Sequence, residues 1–228
     1  ETGEPDERFD AVQVPLHPTA SMALAPANRR LPPGILWLLQ SPENGKLIYR
    51  MLQTYANGFH QLLVGEHGAG KSTIGGAVQE LAGGPGLYFV PIYEGKSVDS
   101  ITFQQEMGAN GVGFKTGYRL GPVLRAMLDG GQGKPVGFDE PNQADSETNA
   151  ALNDLLSSGE INSPDNTLYT AGRGFWFLGY MNKPGEYGVH DQSAEWFERF
   201  VIDEVGPLPM ASQVVFAAEY GRRNGRQV

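Results

Sequence analysis

Cysteine is absent from all 228 residues, which excludes disulfides and thiolate metal sites. Histidine is scarce: His17, His60, His67 and His190 do not fall at zinc-ligand spacing, so each reads as a surface or packing residue. Long hydrophobic runs are also missing. The longest near the start, Gly34 to Leu39, is far too short to cross a bilayer, and no charged stretch leads into an apolar core with a small-residue cleavage site. The expectation is a soluble, cytoplasmic protein. Positive charge is in deficit, and a formal net charge of −9 argues against a non-specific grip on nucleic-acid backbone. No internal repeat is visible. The chain is long enough to bury one sizeable core, and nothing in its pattern demands two. It begins Glu1-Thr2-Gly3 without an initiating Met, which reads as a processed, tagged or truncated product.

Glycine, by contrast, is abundant, and its most informative cluster is Gly65-Glu66-His67-Gly68-Ala69-Gly70-Lys71-Ser72-Thr73. This fits G-x-x-x-x-G-K-[S/T], a loop that cradles phosphates. Gly65, Gly68 and Gly70 let successive N–H groups turn inward toward an anion. Lys71 would reach the β and γ phosphates, the Ser72 hydroxyl would ligate Mg²⁺, and the following helix N-terminus adds partial positive charge. The apolar run His60 to Val64 precedes the loop at strand length, and Ile74 to Leu81 can continue as a helix. That order is the context the motif requires. A glycine-rich turn matching by accident is the alternative.

Downstream, Pro135 to Asp139 is a short apolar run ending in two carboxylates, Asp139 and Glu140. In P-loop ATPases a strand beside the P-loop strand carries such an Asp to hold Mg²⁺. An adjacent Glu is placed to deprotonate a water attacking the γ phosphate, so Glu140 is the candidate base. Two acids ending a strand at a solvated turn is the other reading.

Residues 1–33, rich in Pro, Ala and charge without period, read as an extended arm. Ser41, Pro42 and Glu43 predict a helix start with a hydroxyl N-cap, and Leu47, Ile48, Met51, Leu52 and Tyr55 form its apolar face up to Gly58. A second strand is expected over Leu87 to Tyr93 after the Gly83–Gly86 break. The glycine-rich residues 107–118 suggest a loop or small hairpin. A helix is expected over Pro122 to Leu128, and another capped by Asp145 with Leu152, Leu155 and Leu156 inward, ending at Gly159. Residues 161–171 resemble a hairpin, and Phe175 to Met181 a buried strand whose aromatics are core. Strands alternating with helices predict an α/β fold with a largely parallel sheet covered on both faces.

In this order the pieces resemble an AAA+ ATPase module of the MoxR and dynein-related group. The resemblance rests on Gly121-Pro122 to Gly130, then Val136 to Asn142 around Asp139-Glu140, then Ala150 to Leu156, and covers roughly residues 35–216. It implies a P-loop NTPase fold that uses ATP and Mg²⁺. Asn182, in Met181-Asn182-Lys183-Pro184, is similar to that group's sensor 1, whose amide can hydrogen-bond the γ phosphate or the attacking water. An ordinary Asn-x-Pro turn is the alternative. Arg199, before Phe200, resembles the arginine finger that reaches a neighbouring subunit's nucleotide. It could also be a helix-end residue favoured by the dipole. The two expected hairpins fall where members carry pore-lining loops, which would make Lys115, Tyr118 and Tyr169 client contacts; plain loop tips are the other reading. The resemblance departs at Gln143, where members often have Arg, and at the helical lid, of which only Pro207 to Gly221 could be a beginning. Arg222, Arg223 and Arg226 read as a basic tail.

The expected organisation is an arm (1–33), an AAA+ core (34–206) and a lid start or tail (207–228). Catalysis would fall to Lys71, Glu140, Asn182 and Arg199, nucleotide binding to Gly65–Thr73, and metal binding to Ser72 and Asp139. The resemblance implies a hexameric ring with the nucleotide between subunits, remodelling a protein client, and a von Willebrand A type partner. Rival readings are a nucleic-acid translocating motor, a nucleotide-binding scaffold without turnover, and a small-molecule P-loop kinase.

Overall fold

Alternation inside the strands decides how this chain folds. In Trp176-Phe177-Leu178 and Leu62-Leu63 every side chain is buried, yet neighbours belong to two separate apolar clusters. Successive side chains of a strand point to opposite faces, so strands apolar at every position must be covered on both. The computed structural model describes residues 38, 41–83, 86–110, 113–183, 193–207 and 213, with 83, 107–110 and 113–116 by backbone alone. The expected arm, the lid beyond Pro207 apart from Gln213, the basic tail, Pro184 with the run to 192, and the Lys115 side chain lie outside the described residues.

The chain runs α1 (Pro42–Ala56), β1 (His60–Val64), α2 (Lys71–Gly83), β2 (Tyr88–Pro91), α3 (Val98–Ile101), β3 (Phe103–Asn110), β4 (Gly113–Leu120), α4 (Pro122–Leu128), β5 (Pro135–Asp139), α5 (Ser146–Ser158), β6 (Glu160–Asn162), β7 (Leu168–Thr170), β8 (Trp176–Met181), α6 (Ala194–Phe197) and β9 (Phe200–Glu204). Five strands form one sheet in the order β2-β5-β8-β1-β9, every pair parallel. The expected α/β architecture is therefore present. β8, from late in the chain, sits between β1 and β5, bringing the residue after it between the ends of both.

Helices α1 and α2 cover one face through Ile48, Met51, Ile74 and Val78 against Leu63, Trp176, Leu178 and Tyr180. Helices α4 and α5 cover the other through Leu124, Met127, Leu152 and Leu155 against Leu62, Val136, Phe138 and Phe177. The Tyr180 ring crosses so close to α2 that a Cβ on Gly75 would lie 2.2 Å from Tyr180 Cε1. Its hydroxyl donates to Gln79 Oε1 at 3.1 Å.

The two expected hairpins form as separate antiparallel pairs, β3–β4 and β6–β7. The first is longer than the sequence suggests: eight-residue strands reach back to Phe103 and forward to Leu120. Asp145 caps α5, accepting from Thr148 N at 2.8 Å, and Gly159 ends it in the left-handed region at φ 67°. One cap differs from expectation. The Ser41 hydroxyl makes no bond to the backbone of α1 and donates instead to Glu43 Oε2 at 2.9 Å, because that carboxylate competes within the same turn.

Candidate functional site

The parallel register puts the C-terminal ends of β1, β8 and β5 side by side, and each delivers one part of the site. From β1 the chain enters the glycine loop. Gly68 and Gly70 adopt φ of 78° and 90°, conformations that side chains resist, which folds the loop back onto the first turn of α2. Lys71, first residue of that helix, is only 7% exposed, and its amine donates to Gly65 O at 2.8 Å, Glu66 O at 3.0 Å and Asn182 Oδ1 at 2.9 Å. Ser72 and Thr73 follow, exposed on the first turn.

From β8 comes Asn182. Its side chain accepts from Lys71, while its backbone N–H donates to Glu140 Oε2 at 3.2 Å. Glu140 follows β5 in the left-handed region at φ 52°, ψ 53°, rare for a residue with a side chain. Its N–H is anchored on Tyr180 O at 2.8 Å. A hydrogen-bonded chain thus runs Lys71, Asn182, Glu140, across three strands. Asp139 joins electrostatically: burial holds its carboxyl above the usual range, and the nearby Lys71 offsets that only in part.

Beside the loop lies a cavity of about 370 Å³. Glu66 to Gly70 with Thr73 form one wall, and Leu38, Ile74, Pro207 and Gln213 complete it. Sequence reading had no part for these last four. Leu38 was visible only as a member of an apolar run and Pro207 only as a possible lid start, since neither lies near the loop along the chain.

The residues present fit a nucleotide with Mg²⁺. Positive-φ glycines form a cradle, a buried cation stands at its base, and a cavity opens beside it. Mg²⁺ is commonly held by one or two carboxylates plus phosphate oxygens rather than by a protein cage. Ser72 and Asp139 suit that pattern, and among the described residues no group of three or more His, Asp or Glu is arranged for a metal.

Arg199 is not part of this assembly. It stands between α6 and β9, its Nε donating to Asn153 Oδ1 and its Nη2 to Glu195 Oε1, both at 3.0 Å. Lys183, which follows Asn182, pairs with Glu204 at the end of β9. Tyr118 on β4 is 44% exposed, and Tyr169 on β7 packs partly against Phe103.

A family model for AAA domains of the dynein-related subfamily matches residues 60–200. The chain belongs to that subfamily. Nucleotide binding goes with membership of this AAA+ ATPase family. Among solved structures, this AAA domain is similar in fold to a candidate ATPase from Cytophaga hutchinsonii, with TM-score 0.59 and 17% identity over 84% of this chain and 57% of that one. It is similar also to NtrX from Brucella abortus, solved with ADP, with TM-score 0.55 and 15% identity over 81% of this chain and 41% of that one. The AAA domain therefore spans little more than half the length of the first and less than half of the second. No curated protein matches it. Among the described residues no helix is long and apolar enough to cross a membrane.

Proposed function

We propose that this AAA domain binds Mg-ATP in the cavity beside Gly65–Thr73 and hydrolyses it as one subunit of a hexameric ring that remodels a protein client. A von Willebrand A type protein is the class of partner this reading favours. The observation that carries the reading is the contiguous set Lys71, Asn182, Glu140 and Asp139 at the ends of three neighbouring strands.

Each residue has a task that its position supports. The Lys71 amine is the cation at the base of the cradle and balances phosphate charge. Asp139, with the Ser72 hydroxyl, is the pair available to hold the metal. When bound, Mg²⁺ neutralises phosphate charge and so eases attack at phosphorus. Glu140 accepts a proton from water, its carboxylate held in place by the Asn182 N–H. The Asn182 amide can turn from Lys71 toward phosphate or water. Arg199, standing apart, completes the site of the next subunit.

Titration with Mg-ATP by calorimetry, phosphate release and light scattering on the same samples test this. Wild type should bind saturably, turn over and gain mass with nucleotide. Lys71→Ala should lose saturable binding. Glu140→Gln should bind normally and hydrolyse about 10²- to 10⁴-fold more slowly. Binding and assembly without turnover in the wild type would replace this reading with that of a non-hydrolysing scaffold.

A further inference from the structure

A guanidinium has five N–H donors in a fixed plane. In Arg199 the Nε and Nη2 on one edge are committed, Nε to the amide oxygen of Asn153 and Nη2 to Glu195. Covalent geometry leaves the end-on fork, both Nη1 protons and the second Nη2 proton, directed away from that edge. This fork is the one that grips phosphate oxygens in pairs. The two anchors differ. Glu195 lies four residues away on α6, its side chain 74% exposed, so its ion pair is screened and easily exchanged. Asn153 is 46 residues away on α5, and its bond to Arg199 is partly buried.

Helix α5 is in turn attached to the subunit's own nucleotide site. Glu140 passes directly into the turn Pro141–Gln143, where Gln143 N–H donates to Glu140 O at 2.9 Å, and Asp145 caps the helix two residues later. Two turns along the same helix, about 10 Å at 1.5 Å per residue, stands Asn153. One rigid element thus runs from the candidate base of one site to the candidate finger for the next.

We propose that Asn153 is a positioning residue for Arg199: its amide oxygen aims the guanidinium fork at the neighbouring subunit's phosphate and links that aim to the Glu140 end of α5. The inference rests on the reading of Arg199 given under the proposed function. Asn153 touches no nucleotide. It acts only through Arg199, so its loss lowers turnover without changing how the subunit binds ATP.

The test compares Asn153→Leu, which keeps the branched skeleton and removes the acceptor, with Asn153→Asp, which keeps an acceptor oxygen at the same reach, in the full chain. ATP affinity is measured by calorimetry and kcat and KM by phosphate release at assembling concentrations. Asn153→Leu should lower kcat by about 10- to 100-fold, the scale of a misplaced group, with KM and affinity within about twofold of wild type. Asn153→Asp should restore most of the rate. The double variant N153L/R199A should be no slower than R199A alone. Adding Glu140→Gln subunits, which bind ATP and so assemble but barely turn over, and which carry intact Asn153 and Arg199, should raise the rate of N153L subunits, because the finger acts between copies. Wild-type kcat in N153L, additivity with R199A, or no recovery on mixing would overturn the proposal. Failure of the underlying reading looks different: R199A then turns over like wild type, or wild type does not turn over at all, and in either case the inference falls with it.

Discussion

On the face covered by α1 and α2, Tyr180 lies buried against Gly75 and Gly137, so helix and sheet meet through backbone and one ring. On the opposite face Phe138 and Phe177 stack at 4.0 Å, and Phe200, Trp196 and His60 continue the aromatic layer beneath α5. Here volume, not the lack of it, sets the spacing. The two cations follow the same division. Lys71, on the glycine face, is held mainly by backbone carbonyls. Arg199, on the aromatic side, is held by the side chains of Asn153 and Glu195. Backbone positions are hard to retune by substitution, whereas side-chain acceptors change one residue at a time. The glycine-loop cation is thus held rigidly, and the proposed finger is held by groups that can be adjusted.

Removing each cation gives the sharpest contrast. Arg199→Ala should lower kcat by about 10³-fold or more while leaving ATP affinity unchanged, checked by phosphate release beside calorimetry. Equal losses of affinity and rate would erase the distinction between the two cations.

The aromatic face should also be the pH-sensitive one. Burial holds His60 at about 4, far below the ordinary 6.5, and Phe177 N–H donates to its Nδ1. Between those values the unfolded chain takes up a proton that the folded chain refuses. Stability is therefore lost as pH falls from about 6.5 toward about 4, by roughly 3 kcal/mol in full. Urea midpoints across that window should slope for wild type and flatten for His60→Gln, which retains an acceptor.

On the glycine face, neighbouring substitutions should have opposite signs. Gly75→Ala drives a methyl into the Tyr180 ring and should cost about 1–3 kcal/mol, offset in part by helix propensity. Gly76→Ala meets nothing nearer than Leu87 Cδ1 at 3.8 Å and should gain up to about 1 kcal/mol. Thermal melts of the pair decide it, and equal shifts would show that α2 does not approach the sheet as described. The smallest effect expected is from Asp145→Ala, about 1 kcal/mol from the lost cap of α5, seen in the same melts.

Much of this was legible in the sequence because it is local. The glycine loop with its strand and helix, the span Pro122–Leu128, the Asp145 cap and the β5 acids follow from spacing and side-chain chemistry within a few residues. The sheet order was not: the Asp139 strand was expected beside the P-loop strand, whereas β8 lies between β5 and β1, and nothing along the chain places it there. Hence the link from Lys71 through Asn182 to Glu140 needed coordinates, as did the cavity walls at Leu38 and Pro207. The length of the β3–β4 hairpin was masked by its glycines, which blur the alternation that marks a strand. Asn153 stood within a segment singled out for its leucines, but its polarity on a helix flank signals nothing until Arg199 is seen against it.

Glu140 carries a further consequence. A residue with a side chain held at φ 52° costs the fold about 1 kcal/mol, while Gly or Asn enters that region with less penalty. A library randomised at position 140 and sorted only by survival of heating should therefore discard Glu. Sorted by nucleotide turnover, it should recover Glu almost alone. Under the role proposed for Glu140, heat tolerance and chemistry select in opposite directions at this position, so stabilised relatives of this domain chosen without regard to activity would be expected to arrive already inactive.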